Sequence, residues 1–483
     1  MATSLELFVI SDLHIGGALP SLPGERGFRI NTHMAELAAF LRELVARRLD
    51  QQEAMELVIN GDFVDFLAEA DPQDGRHHAF VAEADHASAL FDAITLRDSD
   101  FFDALAELLA SGCALTLLLG NHDIELSLPA VRERLCVRLG LTGLAGLRFV
   151  YDGEAYSVGD VLIEHGNRYD GWNVVDHDRL RRSRSEASRR LAPSAAARFE
   201  PPAGSLMVQR LINPIKHEYP FVDLLKPETA AALPLLLALE PSLATQAALV
   251  EVARLRAKAW KHEPNAPARP TQSGDIAAGE EADTLSPLAE LLAGQMGEQE
   301  AADLMALLRQ ARQAQDAQRG EISGGTVARA LSFFGLPTAG HQSDRMKSLL
   351  DALRTLQGDH SFRRDVEGDK HQWAAAQELA AVGFAVVIFG HTHLAKKIAL
   401  ADGATYINTG TWADLIRLPD IIVSGPRPQA LVELERFANA LRAREFGEYL
   451  TWQPTFAHLR FDKQRKVLSA ELRTYSTGCL ESL

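Results

Sequence analysis

Leu5-Glu6-Leu7-Phe8-Val9-Ile10-Ser11-Asp12-Leu13-His14 is the stretch on which the fold turns. A short apolar run that breaks directly into polar residues reads as a buried strand followed by a loop. In open α/β sheets, the loops just past the strand C-termini are where ligands bind. The same grammar recurs along the chain. Residues 56–60 run into Gly61-Asp62-Phe63-Val64-Asp65, residues 114–119 into Gly120-Asn121-His122-Asp123, and residues 161–164 into His165-Gly166-Asn167. Between these runs, residues 34–49 and 101–110 carry apolar residues at helical spacing, as in Leu37, Phe40, Leu41 and Leu44. Strand–helix alternation predicts a parallel or mixed sheet covered by helices.

Further along, residues 385–389 lead into Gly390-His391-Thr392-His393, and residues 396–400, 405–407, 456–461 and 466–475 also read as strands. The stretch from about 171 to 383 has a different character. It is rich in Ala and Leu and helical in period, with Leu288, Leu291 and Leu292 followed by Leu304, Leu307 and Leu308, and with Ser286 and Pro287 placed as N-cap and first helical residue. It is expected to be an inserted, mainly helical domain, with a flexible loop near residues 263–285. Residues 179–190 carry six arginines, either a solvated helix face or a contact surface for an anionic substrate or partner.

The chain has 483 residues, enough for two domains, and 49 Lys and Arg against 65 Asp and Glu give a net charge of −16. General duplex nucleic-acid binding is therefore not expected, since it depends on clustered cationic side chains. Cys113, Cys136 and Cys479 show no CxxC spacing, which implies a reducing compartment and a cytoplasmic location. The N-terminus lacks the basic and long apolar regions of a signal peptide. The most apolar stretch, residues 230–239, is broken by Pro234, so no transmembrane anchor is expected.

Five clusters that follow apolar runs carry the chemistry. Asp12, His14, Asp62, Asn121, His165, His391 and His393 offer carboxylate, amide and imidazole ligands without a thiolate. That mix suits first-row divalent ions such as Mn²⁺, Fe²⁺, Co²⁺, Ni²⁺ or Zn²⁺. Seven ligands exceed what one ion with open positions would use. Two ions roughly 3.5–4 Å apart, bridged by one carboxylate, would use them all. Scattered histidines such as His33, His217, His341 and His458 read as surface or hydrogen-bonded core residues.

The ordered set DxH, GDxxD, GNHD, H and GHxH resembles the calcineurin-like metallophosphoesterase superfamily. The resemblance covers about residues 1–170 and 384–475. It implies an α/β fold, a calcineurin-like four-layer α/β/β/α sandwich of two mixed β-sheets flanked by helices, with a large, mainly α-helical inserted domain. The discontinuous catalytic domain would comprise residues 1–170 and 384–483, and the insertion residues 171–383. The family pattern implies that Asp12, His14 and His393 hold one metal and Asn121, His165 and His391 the other, with Asp62 bridging. Two divalent ions, Mn²⁺ first among them, would be the cofactors. His122 resembles the catalytic histidine, oriented either by Asp65 or by Asp123.

The implied activity is metal-dependent hydrolysis of a phosphodiester or pyrophosphate-type bond by a bridging hydroxide. The expected substrate is a phosphorylated small molecule, a nucleotide or a nucleotide-lipid. GDFVDFL and GNHD differ from the GDxVDRG and GNHE of the Ser/Thr protein phosphatases. UDP-diacylglucosamine hydrolases resemble the chain in their DLH opening but usually carry Arg where His122 stands, and the repair-type nucleases share GNHD. A non-catalytic metal-binding interaction module is the remaining alternative. Arg168 and Tyr169, just after His165, are candidate substrate-binding residues. An insertion that leaves after His165 and returns before His391 is placed to act as a cap.

Overall fold

The computed structural model describes residues 4–19, 27–50, 53–72, 74–142, 146–191, 193–226 and 361–476, together with isolated positions between 251 and 354. The loop expected near 263–285 and the leucine pattern from Leu288 to Leu308 lie outside the described residues. The chain divides into two compact units. One comprises Met1–Glu228, Asp359–Arg417 and Phe446–Leu483, the other Thr229–Gly358 and Leu418–Glu445. Residues 171–228 thus group with the strands, whereas the sequence puts the borders at 170/171 and 383/384.

Among the described residues of the first unit, thirteen strands form: β1 (Leu5–Ile10), β2 (Ala54–Asn60), β3 (Ala114–Leu118), β4 (Leu147–Val150), β5 (Tyr156–Val158), β6 (Val161–Ile163), β7 (Val386–Phe389), β8 (Lys396–Ala399), β9 (Thr405–Asn408), β10 (Asp414–Ile416), β11 (Leu450–Trp452), β12 (Thr455–Phe461) and β13 (Val467–Thr474). They build a six-stranded sheet of order β13-β12-β1-β2-β3-β4, a five-stranded sheet of order β5-β6-β7-β9-β8 and the pair β10-β11. Strands β1 to β4 are parallel, while β12 joins β1 antiparallel with Val9 beside Ala457. In the second sheet β6, β7 and β9 are parallel and β5 and β8 antiparallel. The protein is mixed α/β with two mixed sheets.

The alternation of side chains along β1 decides what each face does. Leu5, Leu7 and Val9 join one core with Val161, Ile163, Val386, Ile388 and Ile407 of the second sheet. Phe8 and Ile10 join another with Phe40 and Leu41 of α1 (Met34–Asp50). The helices α2 (Ala84–Arg97) and α3 (Ser99–Ala110) add Phe91, Phe101, Phe102 and Leu105 to that core. Each such fully buried side chain is worth about 1.5–3 kcal/mol over its exposed state. On the other face of the second sheet, Val387, Phe389 and Tyr406 pack with Ala375 and Ala376 of the helix Lys370–Ala381.

Helix α1 shows why local sequence and packing agree. Leu37, Phe40, Leu41 and Leu44 form its buried stripe, Glu36 lies in its first turn, and Arg47 and Arg48 in its last, which matches the helix dipole. Arg47 then reaches the buried Glu6 of β1 through two hydrogen bonds of 2.9 and 2.5 Å. The His458 ring of β12 also meets Glu6, its Nε2 lying 2.6 Å from the Oε1 that Arg47 Nη2 holds.

In the second unit, Leu434, Phe437, Ala438 and Leu441 are buried along the helix Arg427–Ala443. Arg354 donates to the carbonyls of Ile422 and Gly425 at 2.7 and 2.5 Å. Among the described residues, no helix is long and apolar enough to cross a membrane.

The consequence for function is topological. Parallel strands β1, β2 and β3 end at Ile10, Asn60 and Leu118, and parallel strands β6 and β7 end at Ile163 and Phe389. All five chemistry-bearing clusters begin within two residues of one of those ends.

Candidate metal centre

The loops after the strands are bent sharply. Asp12, His14, Asp62, His391 and His393 have φ of 53, 44, 49, 70 and 63°, the left-handed region that side chains with a Cβ avoid. Each costs of order 1–3 kcal/mol, so the surrounding structure must impose it. Only Arg190, Arg444 and Arg465 share that conformation among the other described non-glycine residues. The bends are held by cross-loop hydrogen bonds: Asp12 N–H to Gly61 O at 3.1 Å, His14 N–H to Asp62 O at 3.0 Å and Gly390 N–H to His165 O at 2.9 Å. Two glycines permit the approach. A Cβ on Gly120 would lie 2.0 Å from Asp62 Oδ1, and one on Gly390 would lie 2.5 Å from Asp12 Oδ2.

Of the groups of potential ligand atoms that result, the atoms of each lying within 4.8 Å of one another, a pair meets at one carboxylate: Asp12, His14, Asp62 and His393, and Asp62, His165 and His391. Asp62 belongs to both. His14 Nε2 is 3.0 Å from His393 Nε2, His393 Nε2 is 3.3 Å from Asp12 Oδ1, and His165 Nε2 is 3.2 Å from Asp62 Oδ2. Ligand atoms that each sit about 2.0–2.2 Å from one ion are separated by roughly 3.0–3.5 Å. His165 Nδ1 is 2.8 Å from the carbonyl of Asn60, which fixes the proton there and turns Nε2 to the group as a lone pair. Buried His165 Nε2 and buried Asn121 Oδ1 make no aligned hydrogen bond. Donor type, spacing and these two orphaned atoms all fit a pair of divalent ions.

Burial and mutual charge shift the titration of these groups. Burial alone would lower His165, but the carboxylates of Asp62 and Asp12 outweigh it and hold the ring up to about 9. Burial, assisted by the charge of Asp62 and opposed by that of His165, keeps Asp12 above the ordinary carboxylate range. For Asp62 the balance reverses: His165, His122 and His14 outweigh burial and hold it well below that range. Burial, the Lys226 ammonium and the His14 ring keep His393 well below its ordinary value, hence neutral. A neutral imidazole is the form that binds metal.

His122 stands beside this cluster. Its N–H donates to Asp62 Oδ1 at 2.9 Å, its Nδ1 is 3.1 Å from Asp65 Oδ1, and its ring meets His14 edge-on at 4.7 Å. Asp65 also lies 3.3 Å from His14 Nδ1 and accepts from Ala68 N–H at the head of the Phe66–Ala68 turn. Burial would raise Asp65, but His122 and His14 together hold it far below the ordinary range. Asp123 makes different contacts. It accepts from Phe63 N–H and Gly120 N–H, both at 2.7 Å, and so clamps two loops together. Burial and the neighbouring Asp62 push its carboxyl up to about 7. Of the two orienting residues left open by the sequence, Asp65 is the one in contact with His122.

Arg168 and Tyr169 are drawn to Glu164. Arg168 is 58% exposed with Nη1 3.5 Å from Glu164 Oε2, and the Tyr169 hydroxyl donates to Glu164 Oε1 at 2.6 Å while its ring packs on Phe389. The residue of that loop that meets the cluster is Asp170, whose Oδ2 is 3.0 Å from His391 Nε2 and accepts from Asn173 Nδ2 at 2.7 Å. Sequence reading passed over Asp170 and Ser11, although both lie within five residues of a ligand. Ser11 Oγ donates to Asp12 Oδ2 at 2.5 Å and bridges to Thr409 at 2.6 Å.

Comparison of the chain with protein-family models, with curated proteins and with solved structures gives no match.

Proposed function

We propose that the chain is a metallophosphoesterase, hydrolysing a phosphodiester or pyrophosphate-type bond with two first-row divalent ions, Mn²⁺ first among them. The observation that carries this reading is the pair of ligand groups sharing Asp62, with His122 fixed beside them by Asp62 and Asp65. Asp12, His14 and His393 would hold one ion, Asn121, His165 and His391 the other, and Asp62 both. When bound, the ions would supply positive charge and Lewis acidity toward a phosphoryl group and a water.

The side chains supply the rest. Asp65 engages His122 Nδ1 and would orient the ring for Nε2 to donate a proton or hydrogen bond to a phosphoryl or leaving oxygen. The buried Asp65 carboxylate places negative charge beside that ring. Asp123 keeps the Asp62 and Asn121 loops in register by its two backbone clamps. Two mixed sheets with a shared core and helix-covered outer faces support reading the fold as a calcineurin-like α/β/β/α sandwich. The compact unit built around residues 229–358 supports reading that stretch as an inserted domain.

The test is hydrolysis of bis-p-nitrophenyl phosphate and p-nitrophenyl phosphate by chelator-stripped protein with Mn²⁺ restored. Metal-dependent turnover, faster on the diester, is expected. No metal-dependent turnover on either substrate would sink the proposal and favour a binding module.

A further inference from the structure

Asp65 and His122 line a void of about 10 Å³, together with Ile30, Leu67, Ala68, Val208, Asn213 and Lys216. A space of that size admits one water or one hydroxyl oxygen, and neither a ring nor a phosphate. Val208, Asn213 and Lys216 come from a stretch that carries none of the five motifs. There the short helices Ala203–Met207 and Asn213–Lys216 are joined by a single π-helical turn, Val208–Ile212. Such turns slip one extra residue into the helical register and occur mostly at functional positions. Asn213 and Lys216 follow the turn three positions apart, hence on one helix face.

This wall is held by its own contacts. Gly204 N–H donates to Trp172 O at 2.8 Å and Gln209 Nε2 to His77 O at 3.1 Å. Lys216, only 2% exposed, donates to Phe28 O at 2.9 Å and pairs with the buried Asp223 carboxylate. Asn213 is 5% exposed, and its Nδ2 donates to Leu67 O at 2.8 Å, which settles the orientation of the amide. The other end, Oδ1, is buried with no hydrogen-bond partner. A buried acceptor without a donor is costly, so it calls for a group that brings one. Among apolar neighbours such as Ile30, Leu67 and Val208, in a space for a single oxygen, the group that fits is an O–H. A hydroxyl donates to Asn213 Oδ1 and keeps lone pairs for the Lys216 ammonium, whose third N–H is left by Phe28 and Asp223.

We propose that Asn213 Oδ1 binds a hydroxyl of the substrate, so that the ester group beside His122 is that of a polyol, a glycerol or sugar phosphoester. The assignment rests on reading His122 as the residue that serves the phosphoryl group.

Glycerol 1-phosphate and propyl phosphate share a chain length and a phosphate and differ only in hydroxyls. Their dissociation constants from the full chain loaded with Mn²⁺ are measured by calorimetry. Glycerol 1-phosphate is expected to bind at least about tenfold tighter, because a site built for a hydroxyl rejects the analogue that leaves its buried group unpaired. Equal affinities, the result if the void takes up water only, would overturn the subsite, and so would a lack of binding by either ester. Asn213→Leu is expected to abolish the preference, and a preference unchanged in that variant would remove Asn213 from the site. Should Asn213→Leu not fold, the ratio in the parent still decides. Binding is read without turnover, so the two proposals fail separately. Turnover of bis-p-nitrophenyl phosphate with equal affinities for the two esters overturns the polyol subsite, whereas a preserved preference without turnover overturns the phosphoesterase reading.

Discussion

Strand β1 carries a buried carboxylate near each end, and each faces imidazoles. Near the start, Glu6 is closed by His458 at 2.6 Å and by Arg47 at 2.9 and 2.5 Å. Burial would raise it, but His458 and Arg47 take it down to about 2. Just past the other end, Asp12 faces His393 at 3.3 Å, and among the described residues no Lys or Arg pairs with Asp12 or Asp62. The first arrangement is satisfied by its own side chains. The second holds acidic and imidazole groups at coordination spacing, on strained backbone, with buried His165 Nε2 and Asn121 Oδ1 making no aligned hydrogen bond. A fold that spends conformational energy at one end of a strand and recovers it at the other is preorganised for a guest.

That contrast can be broken by experiment. The largest effect is expected from Asp62→Ala, which should lose both metal equivalents and fall to background activity; full metal occupancy in the variant would end the shared-ligand assignment. His122→Ala should keep its metal by elemental analysis yet lose about 10²–10⁴ in kcat, the usual worth of a general acid. Asp170→Asn should weaken the ion near His391 by about 10- to 100-fold in chelator competition, as loss of a ligand-orienting carboxylate does. An unchanged affinity would make the Asp170 contact incidental.

Glu6→Gln tests the satisfied end and should leave metal content alone. Because Glu6 titrates at about 2 in the fold and near 4.5 when unfolded, its contribution is complete above pH 4.5 and lost as pH falls toward 2. With Arg47 one-third exposed, about 1–2 kcal/mol at pH 7 is expected in denaturant melts, and the parent–variant gap should close through that window.

Much of this was legible in the sequence. The strands that matter are apolar runs stopped by Gly, Asp, Asn or His, and those runs fall within two residues of β1, β2, β3, β6 and β7. Helix α2 escaped notice because Leu90, Phe91 and Ile94 are diluted by alanines at neighbouring positions. The helix Arg427–Ala443 carries a clear stripe but lies away from every motif. At the site, motif spacing brings out first contacts and hides second ones. Asp170 was missed because a carboxylate in a polar loop is unremarked until His391, 221 positions away, is seen beside it. Arg168 and Tyr169 drew attention through side-chain type, yet Glu164, the residue before His165, engages both. The choice between Asp65 and Asp123 turned on which carboxylate faces an imidazole and which faces backbone amides, a matter of geometry alone.

The pairing of β1 with β12 also sets an order of events during synthesis. β1 is a central strand, yet one of its two neighbours, β12, is made long after the other, with Glu6 and His458 separated by 452 positions. Until residues 455–461 leave the ribosome, β1 presents a bare row of amides and carbonyls on that side. Such a long-deferred closure makes a nascent chain dependent on protection of that edge.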